Sequence, residues 1–409
     1  MGRNQGTQRT GRYKDFDPGR DHDEGVATMP LQPWMKLLST DDHLIEPPRL
    51  WSDRLPAKYR EAGPRSVEQP RGEGQAPAEV WVYEDRIYPY IGLNAVAGKN
   101  PEEFGLEPTR YDEMIPGCYD PKARIRDMDL DGVWGALSFP SFPGFSGHVF
   151  MEGSDRQLAL LCVQAWNDFV LDEWCATAPG RLIPLVILPL WDVEACVAEI
   201  HRTAAKGAKA ISFPENPAPR GLPSFHTDHW DPVFSAAEET DLPLCLHFGT
   251  SGKPPKTAED APFAVTIALF GCNAMFATAD LLFSSVLHKH PKLKIGLSEG
   301  GIGWIPYLLE RIDGTWERHR FYQNVNQSVR PSELFHKHFH GCFIDDRFGV
   351  EVRHHVGVDK ITWECDYPHS DSYWPKSRAY AAEVLSDVPD DEVHRIVELN
   401  ARRLYNLPA

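Results

Sequence analysis

Short apolar runs separated by amphipathic stretches organise most of this chain. Runs at 37–40, 132–139, 182–190, 208–213, 242–248, 293–298, 341–345 and 360–365 are short and bounded by Gly, Pro or polar residues, so they read as strands. Between them, segments 123–131, 156–178, 193–205, 232–240, 264–288, 304–322 and 377–385 read as helices. Apolar runs alternating with helices argue for parallel strands joined by crossovers. Eight alternating units predict an α/β fold, a (β/α)8 TIM barrel with its active site at the strands' C-terminal ends. A doubly wound sheet would alternate similarly, but no G-x-G-x-x-G follows a run.

Two regions depart from the alternation. Residues 51–118 form a long insertion after the first strand. The stretch 79–90 alternates around the polar turn Glu84-Asp85, which predicts a hairpin. Long barrel loops cover substrates or make subunit contacts, so this insertion is read as a lid. Residues 1–30 are rich in Gly, Arg and Asp and poor in aliphatic residues, and are expected to be a disordered tail. The barrel then occupies residues 31–409.

Several runs end in side chains that bind metals or move protons. The first runs into Asp41-Asp42-His43, and residues two apart on a strand face the same side, so Asp41 and His43 converge. His247 closes the fifth run, Glu299 follows the sixth, Asp366 follows the eighth, and His369 stands three residues beyond. Imidazole nitrogens and carboxylate oxygens gathered on one barrel face suit a divalent cation.

These residues sit in TDDHLIEP (40–47), LHKHPKLKIGLSEGGIGWIPYLLERI (287–312), CDYPHSDSYWP (365–375) and VELNARRLYNL (397–407). In order and spacing the strings resemble the amidohydrolase superfamily, in its aminocarboxymuconate-semialdehyde decarboxylase-like branch, over residues 35–409. The resemblance implies metal ligands Asp41, His43, His247 and Asp366. It also implies one divalent metal per chain, with zinc expected and manganese the alternative. Binuclear members carry a carbamylated Lys after the fourth strand, where this chain has Phe213-Pro214-Glu215, so a mononuclear site is implied. Asp41 stands where His or Glu is usual, and Glu299 where many decarboxylases of the branch have His. Asp366, Glu299 and His369 are the catalytic candidates.

The resemblance favours non-oxidative decarboxylation or related C–C cleavage of a small aromatic or unsaturated carboxylic acid. The missing His favours the alternative, hydrolysis of an amide, lactone or ester; a non-catalytic metal-binding barrel is the reading outside enzymology. Arg110, Arg124 and Arg347 are candidate partners for a substrate carboxylate.

Charge and composition narrow the remaining classes. The net charge of -17 and the lack of a basic block exclude nucleic acid as the expected partner. No long uncharged apolar stretch or apolar leader is expected, so neither membrane nor export is implied. The eight cysteines show no C-x-x-C spacing and read as free thiols in a cytoplasmic protein. A homodimer is the expected assembly.

Overall fold

The computed structural model describes residues 31–105, 108–251 and 255–408; the expected tail at 1–30 lies outside the described residues. The strands are β1 (Leu37–His43), β2 (Arg65–Gln69), β3 (Ala78–Tyr83), β4 (Arg86–Tyr88), β5 (Val133–Phe139), β6 (Leu182–Ile183), β7 (Leu185–Val186), β8 (Ala210–Phe213), β9 (Leu244–His247), β10 (Ile295–Ser298), β11 (Phe339–Phe343) and β12 (Ile361–Trp363). One sheet runs β6-β5-β1-β12-β11-β10-β9-β8-β7, with every pairing parallel.

β6 and β7, at its two ends, are halves of one segment interrupted by Pro184, which lacks an N–H for the ladder. The first half pairs with β5 and the second with β8, which closes the sheet into the expected barrel. The run at 182–190 is therefore strand only as far as Val186; Ile187 to Leu190 continue buried but leave the ladder.

The barrel interior is apolar at one end. Leu38, Leu137, Ile183, Leu185, Ala210 and Cys245 pack with Leu404 and Tyr405 of the C-terminal segment. The Tyr405 hydroxyl reaches 3.7 Å from Cys245 Sγ. Cys245 and His247 lie two apart on β9, so the strand that buries a thiol there sends an imidazole to the opposite end.

Between β1 and β5, strands β2, β3 and β4 form a separate antiparallel sheet. Trp81 on β3 packs edge-on against Trp51 at 5.2 Å and beside Phe142 at 4.9 Å. Glu84 in the hairpin turn accepts the Asp155 N–H at 2.8 Å, at the start of helix Arg156–Phe169. Further on, Val96 and Ala97 donate to the Pro368 carbonyl at 2.9 and 3.0 Å. This ties the same excursion to the loop after β12.

One expectation is corrected. The stretch Phe263–Phe283 is apolar enough, and long enough, to meet the composition of a membrane span, with mean hydropathy 1.6 and one third of it buried. It is two helices, Phe263–Ala268 and Phe270–Phe283, and the second packs beside Ile305–His319 and Pro331–His338. Phe276 remains 67% exposed on it.

Candidate metal centre and active site

A bulge in β1 aims the first two candidates. Ser39 pairs with Ala136 but Asp42 with Ser138, so three residues of β1 advance against two of β5. Beyond the bulge Asp41 and His43 share the inner side, while Ser39 and Asp42 meet on the other, with Ser39 Oγ donating to Asp42 Oδ1 at 2.7 Å. After β12 the chain keeps pairing with β1: Asp366 N–H donates to the Asp41 carbonyl at 2.7 Å, and His43 N–H to that of Tyr367 at 2.7 Å. Asp366 and Glu299 are both in left-handed backbone, at φ 57° and 55°. Non-glycine residues rarely adopt this conformation, and it is held here by the surrounding contacts.

These elements bring every candidate into one cluster. His43 Nε2 lies 3.6 Å from Asp41 Oδ1 and 3.3 Å from Asp366 Oδ1. His247 Nε2 lies 3.4 Å from Asp41 Oδ2, 3.4 Å from Glu299 Oε2 and 3.1 Å from His43 Nε2. His369 Nδ1 is 3.0 Å from Asp366 Oδ1, and its ring lies over His43 with centroids 4.0 Å apart. His369 is 7% exposed, so it is part of the buried cluster rather than a solvent-facing loop histidine.

The cluster is built like a cation site. Asp41, His43, His247 and Asp366 are buried, yet neither oxygen of Asp41 or of Asp366 has a hydrogen-bond partner of good geometry. Buried carboxylates without donors are costly unless a cation meets them. Burial, then His369, holds His43 well below its ordinary pKa, and burial brings His247 down to about 4. Both imidazoles are thus neutral at pH 7, the form that donates a lone pair. His247 Nδ1 faces the Phe248 carbonyl at 2.6 Å, which fixes its tautomer and leaves Nε2 toward the cluster. Burial pushes the Asp366 carboxyl up, but His369 and His43 overcome it and hold Asp366 below the ordinary range. Burial, then Glu364 and Asp366, raises Asp41. The donor set fits one divalent cation.

Glu299 differs from its neighbours. Its carboxyl is pushed well up by burial and then by Asp366 and Asp371, and among the described residues its one close side-chain partner is His247, at 3.4 Å. Its backbone N–H donates to Glu364 Oε2 at 3.1 Å, and Glu364 also accepts the Cys342 thiol. Glu364 was missed from sequence, although it stands two residues before Asp366 on the same strand edge. Phe145 was also missed: its ring lies 4.7 Å from His43 and 4.3 Å from His247. Nothing in its local sequence marks it.

Other candidates prove structural. Arg124 is fully buried, donates to the Gly117 carbonyl at 2.9 Å, and pairs with Asp42 at 3.4 Å; it is no substrate partner. Arg347 pairs with Glu383, and Arg110 with Glu68 and Asp112. Glu46 accepts the N–H groups of Ser141 and Phe142 at 3.0 and 2.9 Å and so shapes the loop bearing Phe145. Glu215, where a bridging Lys would stand, is held by Ser251 at 2.8 Å and Asn273 at 2.7 Å.

Beside Glu299 opens a cavity of about 670 Å³, walled by Phe104, Phe270, Phe343 and Trp374 and by the carboxyls of Glu364 and Asp371. Lys99, Pro101 and Phe104 of the β1–β5 excursion form one side of it.

A closed parallel barrel with a His and Asp cluster at its strand ends defines a metal-dependent enzyme of the amidohydrolase type. The chain belongs to the amidohydrolase family, whose model matches residues 78–407; β1, with Asp41 and His43, precedes the match. It is accordingly a carboxy-lyase or a hydrolase. The chain is 23% identical over 302 residues to 2-amino-3-carboxymuconate-6-semialdehyde decarboxylase of Caenorhabditis elegans, covering 62% of this chain and 73% of that one. An amidohydrolase from Mycobacterium avium subsp. paratuberculosis superposes with TM-score 0.70 at 21% identity, over 91% of this chain and 99% of that one. A 5-carboxyvanillate decarboxylase from Novosphingobium aromaticivorans, solved with manganese and 4-hydroxy-3-methoxy-5-nitrobenzoic acid, superposes with TM-score 0.64 at 18% identity, over 92% and 97%.

Proposed function

We propose that this protein removes CO2 from a small aromatic or unsaturated carboxylic acid without an oxidant, using one divalent metal held by Asp41, His43, His247 and Asp366. The observation that carries the reading is the pair of buried aspartates whose oxygens lack hydrogen-bond donors, facing two neutral imidazoles. Manganese is favoured over the zinc expected from sequence, because the mixed oxygen and nitrogen set accepts either and the similar decarboxylase holds manganese. When bound, the cation would draw charge from the substrate carboxylate and a neighbouring oxygen.

The side chains then divide the work. Glu299, kept protonated by its burial, supplies the proton to the carbon that loses CO2: the C–C bond breaks, its electron pair stays on the ring or alkene carbon, and a C–H bond forms. Asp366 stays ionised, with His369 beside it holding its orientation. Phe145 and the aromatic cavity wall exclude water from the carbanion-like carbon. The β1–β5 excursion acts as a lid, because it supplies one cavity wall and is bonded to the loop bearing Asp366.

Seven of the eight free cysteines are buried, which supports a reducing, cytoplasmic setting. The exposed Phe276 and Tyr307 offer apolar surface for a homodimer. The test of the reaction is CO2 release from a panel of hydroxybenzoates by protein loaded with Mn2+. Turnover of amides, lactones or esters without CO2 would instead establish a hydrolase.

A further inference from the structure

The ring nitrogens of the cluster converge on more partners than their protons can serve. His43 Nε2 lies 3.3 Å from Asp366 Oδ1, 3.6 Å from Asp41 Oδ1 and 3.1 Å from His247 Nε2. One ring nitrogen carries at most one proton, so it can satisfy only one of the three. Donor atoms that share a divalent cation, with bonds of about 2.0–2.2 Å, stand roughly 3–3.5 Å apart. The spacing is that of atoms gathered round a common point. His369 repeats it. Its Nδ1 lies 3.0 Å from Asp366 Oδ1, the oxygen that His43 also faces, and its ring lies over His43 with the planes 31° apart. His43, Asp366 and His369 thus form a second compact group of donor atoms, joined through His43 to that of Asp41, His43 and His247. The turn that aims the ring is tied down: the His369 N–H donates to the Asp366 carbonyl at 2.8 Å, and the Pro368 carbonyl accepts from Val96 and Ala97. A buried imidazole elsewhere, His338, is anchored by Nδ1 to the Leu293 carbonyl at 2.7 Å. His369 has no such anchor. It is 7% exposed, its Nε2 has no partner among the described residues, and its one polar side-chain contact there is Asp366.

We infer that His369 is a fifth protein ligand of the cation, through Nδ1, beside Asp41, His43, His247 and Asp366. The inference rests on the metal site of the proposed reading and not on its reaction. The contact between His369 and Asp366 is then one between two ligands. A neutral imidazole adds a donor without adding charge, so one divalent cation still balances two carboxylates. A shell of five donors exceeds the four that zinc prefers and suits the octahedral habit of manganese.

The test is pulsed electron paramagnetic resonance on the full chain loaded with Mn2+, which counts the nitrogens bonded to the metal. Three are expected, from His43, His247 and His369, and two in His369→Asn. Asparagine keeps an N–H donor near the place of Nδ1, so it can still orient Asp366, but its amide nitrogen has no lone pair to give. Mn2+ affinity alone does not separate the two roles, because losing a residue that only orients a ligand already costs ~10–100-fold. Should the variant fail to fold, the wild-type count decides alone, since His369 is the third imidazole of the cluster. Two nitrogens in the wild type, or an unchanged count in His369→Asn, overturns the inference and leaves the four-ligand site standing. No Mn2+ binding removes both. Three nitrogens without CO2 release from any hydroxybenzoate would sink the decarboxylase reading and leave this one standing.

Discussion

Replacing Asp41 by asparagine should have opposite effects with and without a divalent cation. Asp41 is fully buried, its oxygens lie 3.6 and 3.4 Å from two imidazole nitrogens, and neither has a hydrogen-bond partner. Burial and the nearby carboxyls of Glu364 and Asp366 all disfavour its charge. In metal-free protein such a group costs roughly 1–3 kcal/mol, and an amide of the same shape relieves most of it. A chain of this length changes entropy on melting by roughly 0.8 kcal/mol per kelvin, so metal-free Asp41→Asn should melt about 1–4 °C above the wild type. Wild-type protein at ~100 times the dissociation constant of Mn2+ gains about 2.7 kcal/mol, or roughly 3 °C. The variant, with a neutral oxygen in place of a charged ligand, should gain much less, so the order of the two melting curves inverts. Differential scanning fluorimetry in EDTA and then in Mn2+ reads both shifts. A metal-free variant that melts below wild type, or that responds to Mn2+ equally, would refute the assignment of Asp41 to a cation.

Glu299→Gln should leave Mn2+ binding by calorimetry nearly intact and lower CO2 release by ~10²–10⁴-fold, the usual contribution of a positioned acid; an unchanged rate would remove Glu299 from the chemistry. Arg124→Met strands buried Asp42 and should cost about 3–5 kcal/mol in urea unfolding. Adding Asp42→Asn should recover a large part of that loss, and no recovery would mean that Arg124 acts through its carbonyl contacts alone. Burial raises the Glu215 carboxyl to about 7 from an ordinary 4.5, so the folded state holds a proton that the unfolded state has released. Its contribution is therefore neutral below pH 4.5 and increasingly unfavourable up to pH 7, by roughly 3 kcal/mol in all. Stability measured in urea should fall across that window, and Glu215→Gln should flatten the fall.

The barrel was legible because strands buried on both faces leave unbroken apolar runs, and seven of them end near where the structure ends them. The exception, 182–190, hid its break at Pro184, whose effect depends on which neighbours each half pairs with. His247, Glu299 and Asp366 were legible for the same reason: a polar residue at the end of an apolar run has only the barrel mouth to enter. For Asp41 and His43 the spacing led to the right convergence, but simple alternation from Leu38 would have turned them outward. The bulge that corrects this is a pairing property of β1 with β5, invisible in either strand alone. Arg124 shows the opposite failure: its charge suggested a substrate partner, while its role depends on Asp42, 82 residues away in sequence.

The two departures from the family pattern make sense together. A divalent cation balances two carboxylates, and two lie at the imidazoles without a hydrogen-bond partner of good geometry: Asp41 against both His43 and His247, and Asp366 against His43. A third charged carboxylate at Glu299 would exceed that balance in a largely buried cluster, and burial and Asp366 push it toward the neutral form. A histidine at that position could hold its proton only against burial and the metal. A glutamic acid is neutral when protonated, so burial and the neighbouring carboxyls favour its proton. In the proposed reading Asp41 supplies charge to the ligand set and position 299 carries the proton, while Glu364 accepts the N–H of the left-handed Glu299 backbone. On that reading the exchange of residues would move charge into the ligand shell and the proton out of it, which would keep acid catalysis available without the family histidine.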